Sequence, residues 1–283
     1  MTRIIAVALQ KGGVGKTTTA QHLAHALAMR DKNVLLVDLD AQSSTTQRYN
    51  PDDLHGTMSE VLGVDGPPTK SLRDIVVPTY QKNLFLAPAD ESLAKSDVRL
   101  GSDQGGAFTL DIMFREQKLP FDYVVLDTAP GRSNLLMAAL VAADEIIVPV
   151  QLSPMGFEGF AAIDETIMEA RRLQSIRGDV RLRYRAIVPT FYSRGEIVSD
   201  GFLEALKESD HPDYEGQPLP LAPLPIPETT AFERASAPLM FDTESGPVQR
   251  ARTIFEMPSE GPESPTGRGQ EAYLRLAEFV DAI

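Results

Sequence analysis

Short apolar runs rich in Val, Ile and Leu punctuate the 283-residue chain, with more polar stretches between them. The runs at 3–9 (RIIAVAL), 33–38 (NVLLVD), 83–87 (NLFLA), 122–127 (DYVVLD), 145–150 (EIIVPV), 183–188 (RYRAIV) and 219–224 (LPLAPL) predict strands. Most are continuously apolar rather than alternating, which is the pattern of strands covered on both faces of a parallel sheet. Segments 16–30, 107–117, 134–142, 157–174, 198–209 and 269–282 read as helices. In the first, Ala20, Leu23, Ala24, Leu27 and Ala28 recur at helical spacing. Strand–helix alternation over most of the chain predicts the α/β class, with one doubly wound, mostly parallel sheet flanked by helices. No repeat or clear boundary interrupts it, so a single domain over 1–283 is expected. Irregular insertions are expected near 49–70, which holds Pro51, Gly56, Gly63, Gly66, Pro67 and Pro68, and near 243–265, which runs into a Glu-, Pro-, Ser- and Gly-rich stretch at 256–269. Segment 210–218 reads as a surface loop.

Composition narrows the chemistry. With no cysteine there is no disulfide framework, thiolate zinc site, cysteine-ligated cluster or thiol chemistry. No apolar run approaches the ~18 residues of a membrane helix. The first residues read as a strand rather than a leader, so a cytoplasmic location and no membrane association are expected. A net charge of −13 argues against indiscriminate polyanion binding by the whole surface but leaves room for a local basic patch. The most basic stretch is 171–185, with Arg171, Arg172, Arg177, Arg181, Arg183 and Arg185 against the single acid Asp179.

The strongest signal is Gln10-Lys11-Gly12-Gly13-Val14-Gly15-Lys16-Thr17-Thr18, between a predicted strand and a predicted helix. Such a loop curls its backbone N–H groups inward around phosphate oxygens, and the helix N-terminus behind it adds partial positive charge. Lys16 is placed to reach the β- and γ-phosphates, and the Thr17 hydroxyl to ligand Mg²⁺. The general G-x-x-x-x-G-K-[ST] pattern has glycine where this chain has Gln10, and Lys11 is an additional lysine. Two further predicted strands end in acids. Asp38-Leu39-Asp40-Ala41-Gln42 brings Asp40 toward the phosphates, since ligands in doubly wound sheets lie at carboxyl strand ends. Val124-Val125-Leu126-Asp127 ends in Asp127 and runs on to Ala129-Pro130-Gly131. Asp38 reads as structural.

The loop QKGGVGKTTT resembles that of the deviant Walker A ATPases, P-loop NTPases of the MinD/ParA superfamily, and within them the ParA/Soj partition proteins. D-L-D-A-Q resembles the family's D-x-D-P-Q, with Ala41 replacing proline. Segments 86–99, 225–238 and 266–280 extend the likeness over nearly the whole chain. The resemblance implies that Lys16 binds ATP on its own subunit and that Lys11 reaches the partner's ATP across a sandwich homodimer, with Gly12 where the two loops face each other. It implies that Asp40 orients the attacking water and borders Mg²⁺, that Asp127 holds Mg²⁺ through a water, and that Pro227 lies near the adenine. In this family the ATP dimer binds DNA without sequence preference. Arg194 matches a family DNA contact, Arg234 stands near another, and Arg171 and Arg172 belong to the basic stretch. Nucleoid association and a ParB-like partner that stimulates hydrolysis follow from the same likeness. No DNA-reading helix-turn-helix precedes the first strand, which suits the small type. Zero cysteine sets aside the cluster- and zinc-bearing relatives, and the C-terminal segment lacks the basic amphipathic face of the membrane-targeted ones. Two alternatives stand beside partition: the same ATPase positioning a protein cargo such as a carboxysome or chemoreceptor cluster, and a metabolic enzyme that uses ATP to activate a small substrate, which Lys11 disfavours.

Overall fold

The computed structural model describes residues 2–51, 54–208, 216–243 and 246–282. The chain runs through β1 (Arg3–Val7), α1 (Lys16–Met29), β2 (Val34–Leu39), α2 (Ser44–Tyr49), α3 (Met58–Leu62), α4 (Leu72–Ile75), β3 (Val77–Pro78), β4 (Leu84–Ala87), α5 (Leu93–Ser102), α6 (Thr109–Glu116), β5 (Tyr123–Thr128), α7 (Asn134–Ala142), β6 (Glu145–Gln151), α8 (Pro154–Ile176), β7 (Arg183–Thr190), α9 (Ile197–Glu208), α10 (Thr230–Ser236), β8 (Leu239–Thr243), β9 (Gly246–Arg250) and α11 (Pro265–Asp281).

Seven strands form one sheet in the order β3-β4-β2-β5-β1-β6-β7, parallel throughout except for the antiparallel edge pair β3–β4. The continuous apolar runs have their physical cause here. Along β1, Ile4 and Ala6 face one buried cluster, with α7 and α8, while Ile5 and Val7 face another, with α1 and α11. Successive strand residues point to opposite faces, so a strand buried on both faces must be apolar at every position.

This order also builds the site. Strands β2, β5 and β1 are neighbours, with Asp38 opposite Asp127 and Val7 opposite Asp127 in register. The segments leaving their carboxyl ends therefore emerge side by side, where ligands bind in open α/β sheets.

Several boundaries differ from the sequence reading. The run at 219–224 is not a strand; only Leu221 bridges to Ile187. Pro218, Pro220, Pro223 and Pro225 lack the N–H groups that a ladder needs. The stretch at 49–70 contains α3, entered through a capping box between Thr57 and Glu60. The stretch at 243–265 contains β9, which pairs with β8 as a separate two-stranded hairpin, and a 3-10 turn at Ile254–Glu256. The expected helix at 107–117 is a 3-10 turn followed by α6. The final helix begins earlier than expected, with Pro265 in its first turn and Ser264 capping it. Of the loop expected at 210–218, residues 210–215 lie outside the described residues, as does the end of the helix expected at 198–209.

Candidate active site

The loop between β1 and α1 turns on two glycines in the left-handed region, Gly13 at φ 73° and Gly15 at φ 88°. Side chains rarely adopt this conformation, so glycine is favoured at both places. Gly15 caps α1 without a side chain, leaving the first N–H groups of a 14-residue helix free toward the cavity. The loop is fastened on three sides. Thr190 Oγ1, at the end of β7, donates to Val14 O at 3.0 Å, while the Val14 side chain packs in the core. Gly131 N donates to Gln10 O at 2.6 Å. Gln10 Nε2 donates to Thr166 Oγ1 on α8 at 2.6 Å. The departure from the glycine of the general pattern thus has a structural use: Gln10 ties the loop to α8.

Lys16 is 5% exposed, and its Nζ donates to Lys11 O at 2.7 Å. Burial lowers its pKa, and the nearby Asp127 and Asp40 carboxylates partly offset this. The ammonium is folded back on its own loop and faces the cavity. Lys16 lines a cavity of about 320 Å³ together with Gly12, Gly13, Gly15, Thr17, Thr18, Asp40, Pro130 and Phe191. Lys11 is not among the residues lining it. Its Cβ lies instead against Gly159 of α8, where an added methyl group would come within 3.4 Å of it. Gly12 is exposed, with only Pro130 near its missing Cβ, at 3.9 Å.

Beneath the cavity lies a buried carboxylate pair. Asp127 accepts from Thr17 Oγ1 at 3.2 Å and from Thr45 Oγ1 at 2.7 Å. Asp38 accepts from the backbone N–H of Thr46 at 2.9 Å and from its hydroxyl at 2.7 Å. Burial, then mutual repulsion, raises the Asp127 pKa to about 8; burial raises that of Asp38 to about 6. Asp40 stands outside this pair. One of its oxygens accepts from Gln42 N at 2.9 Å, and its own N–H donates to Asp38 at 3.2 Å. The structural reading of Asp38 agrees with this: it fixes the turn that presents Asp40. Thr17 touches Asp127, and Asp40 is near enough to raise the Asp127 pKa; all three offer oxygen donors, the type Mg²⁺ takes.

A second cavity of about 990 Å³ opens from the first at Gly15, Thr18 and Phe191. Pro227, Phe232, Arg268 and Tyr273 line it. Its floor is joined to α1 through His22. Ile254 N donates to His22 Nε2 at 3.0 Å, so the proton sits on Nδ1, which donates to Thr18 O at 2.7 Å. The His22 ring stacks on Tyr273, with centroids 4.9 Å apart.

The basic stretch is mostly committed internally. Arg181 bonds Asp111 at 2.6 Å and also pairs with Asp144 and Asp179. Arg183 meets buried Glu145 at 2.8 Å, Arg185 donates to Phe279 O, and Arg171 donates to Leu182 O. Arg177 stands 3.6 Å from Asp111. Of the expected DNA-contacting residues, Arg172, Arg194 and Arg234 are exposed, Arg194 at 72% and 3.8 Å from Glu263.

Sequence reading missed Thr45 and Thr46, the fastening role of Gln10, the aromatic floor of the second cavity, and Phe191, which sits at φ 57° between the two cavities. The Ser43–Thr46 hydroxyl run after Asp40 was the available signal for the threonines. Arg268 had none.

A family model described as an AAA domain matches residues 2–178. The chromosome-partitioning ATPase Soj of Thermus thermophilus is 37% identical over 280 residues, 99% of this chain and 96% of that protein. Among solved structures, cobyrinic acid a,c-diamide synthase of Mycobacterium smegmatis with ADP and magnesium is 31% identical, with a TM-score of 0.66, covering 81% of this chain and 88% of the other. McdA of Cyanothece in its apo form is 25% identical, with a TM-score of 0.70, covering 83% and 89%. No helix among the described residues is long and apolar enough to cross a membrane. With its phosphate loop, converging strand-end acids and end-to-end likeness to Soj, the chain belongs to the ParA/Soj family of deviant Walker A ATPases.

Proposed function

We propose that the chain is an ATP-switched partition ATPase. In this reading an ATP-bound sandwich dimer binds DNA without sequence preference, and a ParB-like partner stimulates hydrolysis and releases it. The observation that carries the reading is the division between the two lysines. Lys16 lines its own phosphate cavity, whereas Lys11 does not and lies on the α8 side of the loop. A lysine with no place in its own cavity is available to the phosphates of a second copy. Gly12, exposed beside it, leaves room for the facing loop.

On this reading each part of the site has its own task. The bare N-terminus of α1 and the loop N–H groups receive the phosphates. Lys16 exchanges the Lys11 carbonyl for phosphate oxygen. Thr17, Asp40 and Asp127 are the residues that would hold Mg²⁺, which supplies charge neutralisation for phosphoryl transfer. Asp40, pinned by Asp38 and by Gln42 N, orients the attacking water. Pro227 borders the nucleoside.

Two other readings have support. The M. smegmatis synthase likeness favours a metabolic ATP-dependent enzyme. The likeness to the maintenance of carboxysome distribution protein A of Synechococcus elongatus, 31% identical over 171 residues, favours a protein cargo with the same ATPase cycle. On the partition reading, DNA contact falls to Arg172, Arg194 and Arg234. Retention on non-specific duplex DNA should require ATP, fail with ADP and weaken steeply with salt. Asp40→Ala should stay on DNA in the ATP state. Retention that ignores the nucleotide would overturn the reading.

A further inference from the structure

The two acids of the buried pair are held in different ways. Asp38 accepts a backbone N–H as well as a hydroxyl, both from Thr46. Among the described residues the Asp127 carboxylate accepts from side-chain hydroxyls alone, one on each oxygen. Thr17 Oγ1 donates to Oδ1 at 3.2 Å, and Thr45 Oγ1 donates to Oδ2 at 2.7 Å. The shorter bond therefore comes from Thr45, the second residue of α2, which is fully buried and does not line the phosphate cavity.

The Thr45 hydroxyl is itself aimed. Gln21 of α1, 1% exposed, donates from Nε2 to Thr45 Oγ1 at 2.9 Å. A hydroxyl has a single proton to give, and with its oxygen already accepting from Gln21 that proton goes to Asp127. Donors thus run one way, from Gln21 through Thr45 to Asp127. The last torsion of an aspartate side chain is broad, so a carboxylate held at one oxygen swings about it and one held at both does not. Thr17 alone leaves Asp127 free to turn; Thr45 fixes it. Burying Gln21 and Thr45 costs desolvation that an apolar pair would avoid, and a fixed carboxylate is what the two polar side chains supply.

We propose that Thr45, backed by Gln21, is a positioning residue for Mg²⁺, holding the Asp127 carboxylate in the orientation the metal site needs. The proposal rests on the nucleotide-binding part of the partition reading. The test compares ATP affinity in excess Mg²⁺ with ATP affinity in EDTA, both by titration calorimetry. Outer partners of metal-site ligands typically contribute about 10–100-fold to metal affinity. Thr45→Val should therefore weaken ATP binding in Mg²⁺ about tenfold or more and leave it unchanged in EDTA. Thr45→Ser, which keeps the hydroxyl, should bind as the wild type does in both. Wild-type affinity of Thr45→Val in Mg²⁺ would overturn the proposal, and so would an equal loss in EDTA, the mark of a merely structural role. Should Thr45→Val not melt cooperatively, Gln21→Met carries the same comparison: it leaves the hydroxyl unaimed and should weaken binding in Mg²⁺ only, by a smaller factor. Absence of ATP binding by the wild type would overturn the nucleotide reading itself, a separate outcome.

Discussion

Acid should unfold this protein partly through His25, and the size of the effect follows from the structure. The side chain is buried in α1, 3.3 Å from Thr253 Oγ1, with its ring 5.1 Å from that of Phe255. Burial lowers its pKa from 6.5 to about 4; Glu256 pulls the other way, and Arg250 adds to the lowering. The neutral form is the one the fold accommodates. Above about pH 7 neither folded nor unfolded chain is protonated there, and His25 imposes no penalty. As pH falls through 6.5 the unfolded chain takes up the proton and the folded chain does not, so stability falls until about pH 4 and then levels. The full loss is about 3 kcal/mol, of which about 2 kcal/mol is reached by pH 5. Asp127, with its pKa raised to about 8, and Asp38 work in the opposite direction. Their raised pKa values make the folded state the better proton binder as pH falls through about 8 and then about 6, which offsets the histidine in both the wild type and the variant. The clean readout is therefore a difference. Urea unfolding of nucleotide-free wild type and His25→Gln is followed at pH 7.5 and pH 5. The wild type should lose about 2 kcal/mol more than the variant between the two conditions. An identical loss in both proteins would refute the assignment of a buried neutral imidazole.

Gln10→Ala removes the ties to Thr166 and Ala162. It should lower stability by about 1 kcal/mol and weaken ATP binding, both read by thermal melting with and without ATP. Arg181→Gln breaks the hub joining Asp111, Asp144 and Asp179 and should cost about 1–3 kcal/mol in chemical unfolding while leaving DNA retention intact. Arg194→Glu should do the reverse, with unchanged stability and abolished retention, because the side chain is exposed and its ion pair with Glu263 is long, at 3.8 Å.

The central strands were legible because a strand covered on both faces has no freedom to be polar, and β1, β2, β5 and β6 therefore announce themselves. The phosphate loop was legible because glycine takes the left-handed turns at Gly13 and Gly15 without strain, and because its lysine and threonine sit at fixed offsets. What the sequence concealed depends on distant partners. Arg181 reads as surface charge until Asp111, 70 residues away, is brought against it. Likewise, Thr45 acquires its meaning only when β2 and β5 become neighbours and Asp127 comes within reach. Strand β3 is two residues long and leaves too short a pattern to detect. The run at 219–224 shows the opposite error, in which apolar content outweighed the missing donors of its prolines. The second cavity was hidden for a similar reason, since Phe232, Arg268 and Tyr273 come from two helices separated by the β8–β9 hairpin.

The separation of the two lysines is the core of the account, and molar mass by light scattering tests it most directly. With ATP and Mg²⁺ the wild type should run as a dimer, and with ADP as a monomer. Lys11→Ala should bind ATP on its own subunit and remain a monomer, whereas Lys16→Ala should lose ATP binding itself. A Lys11→Ala protein that dimerises with ATP as fully as the wild type would contradict the account.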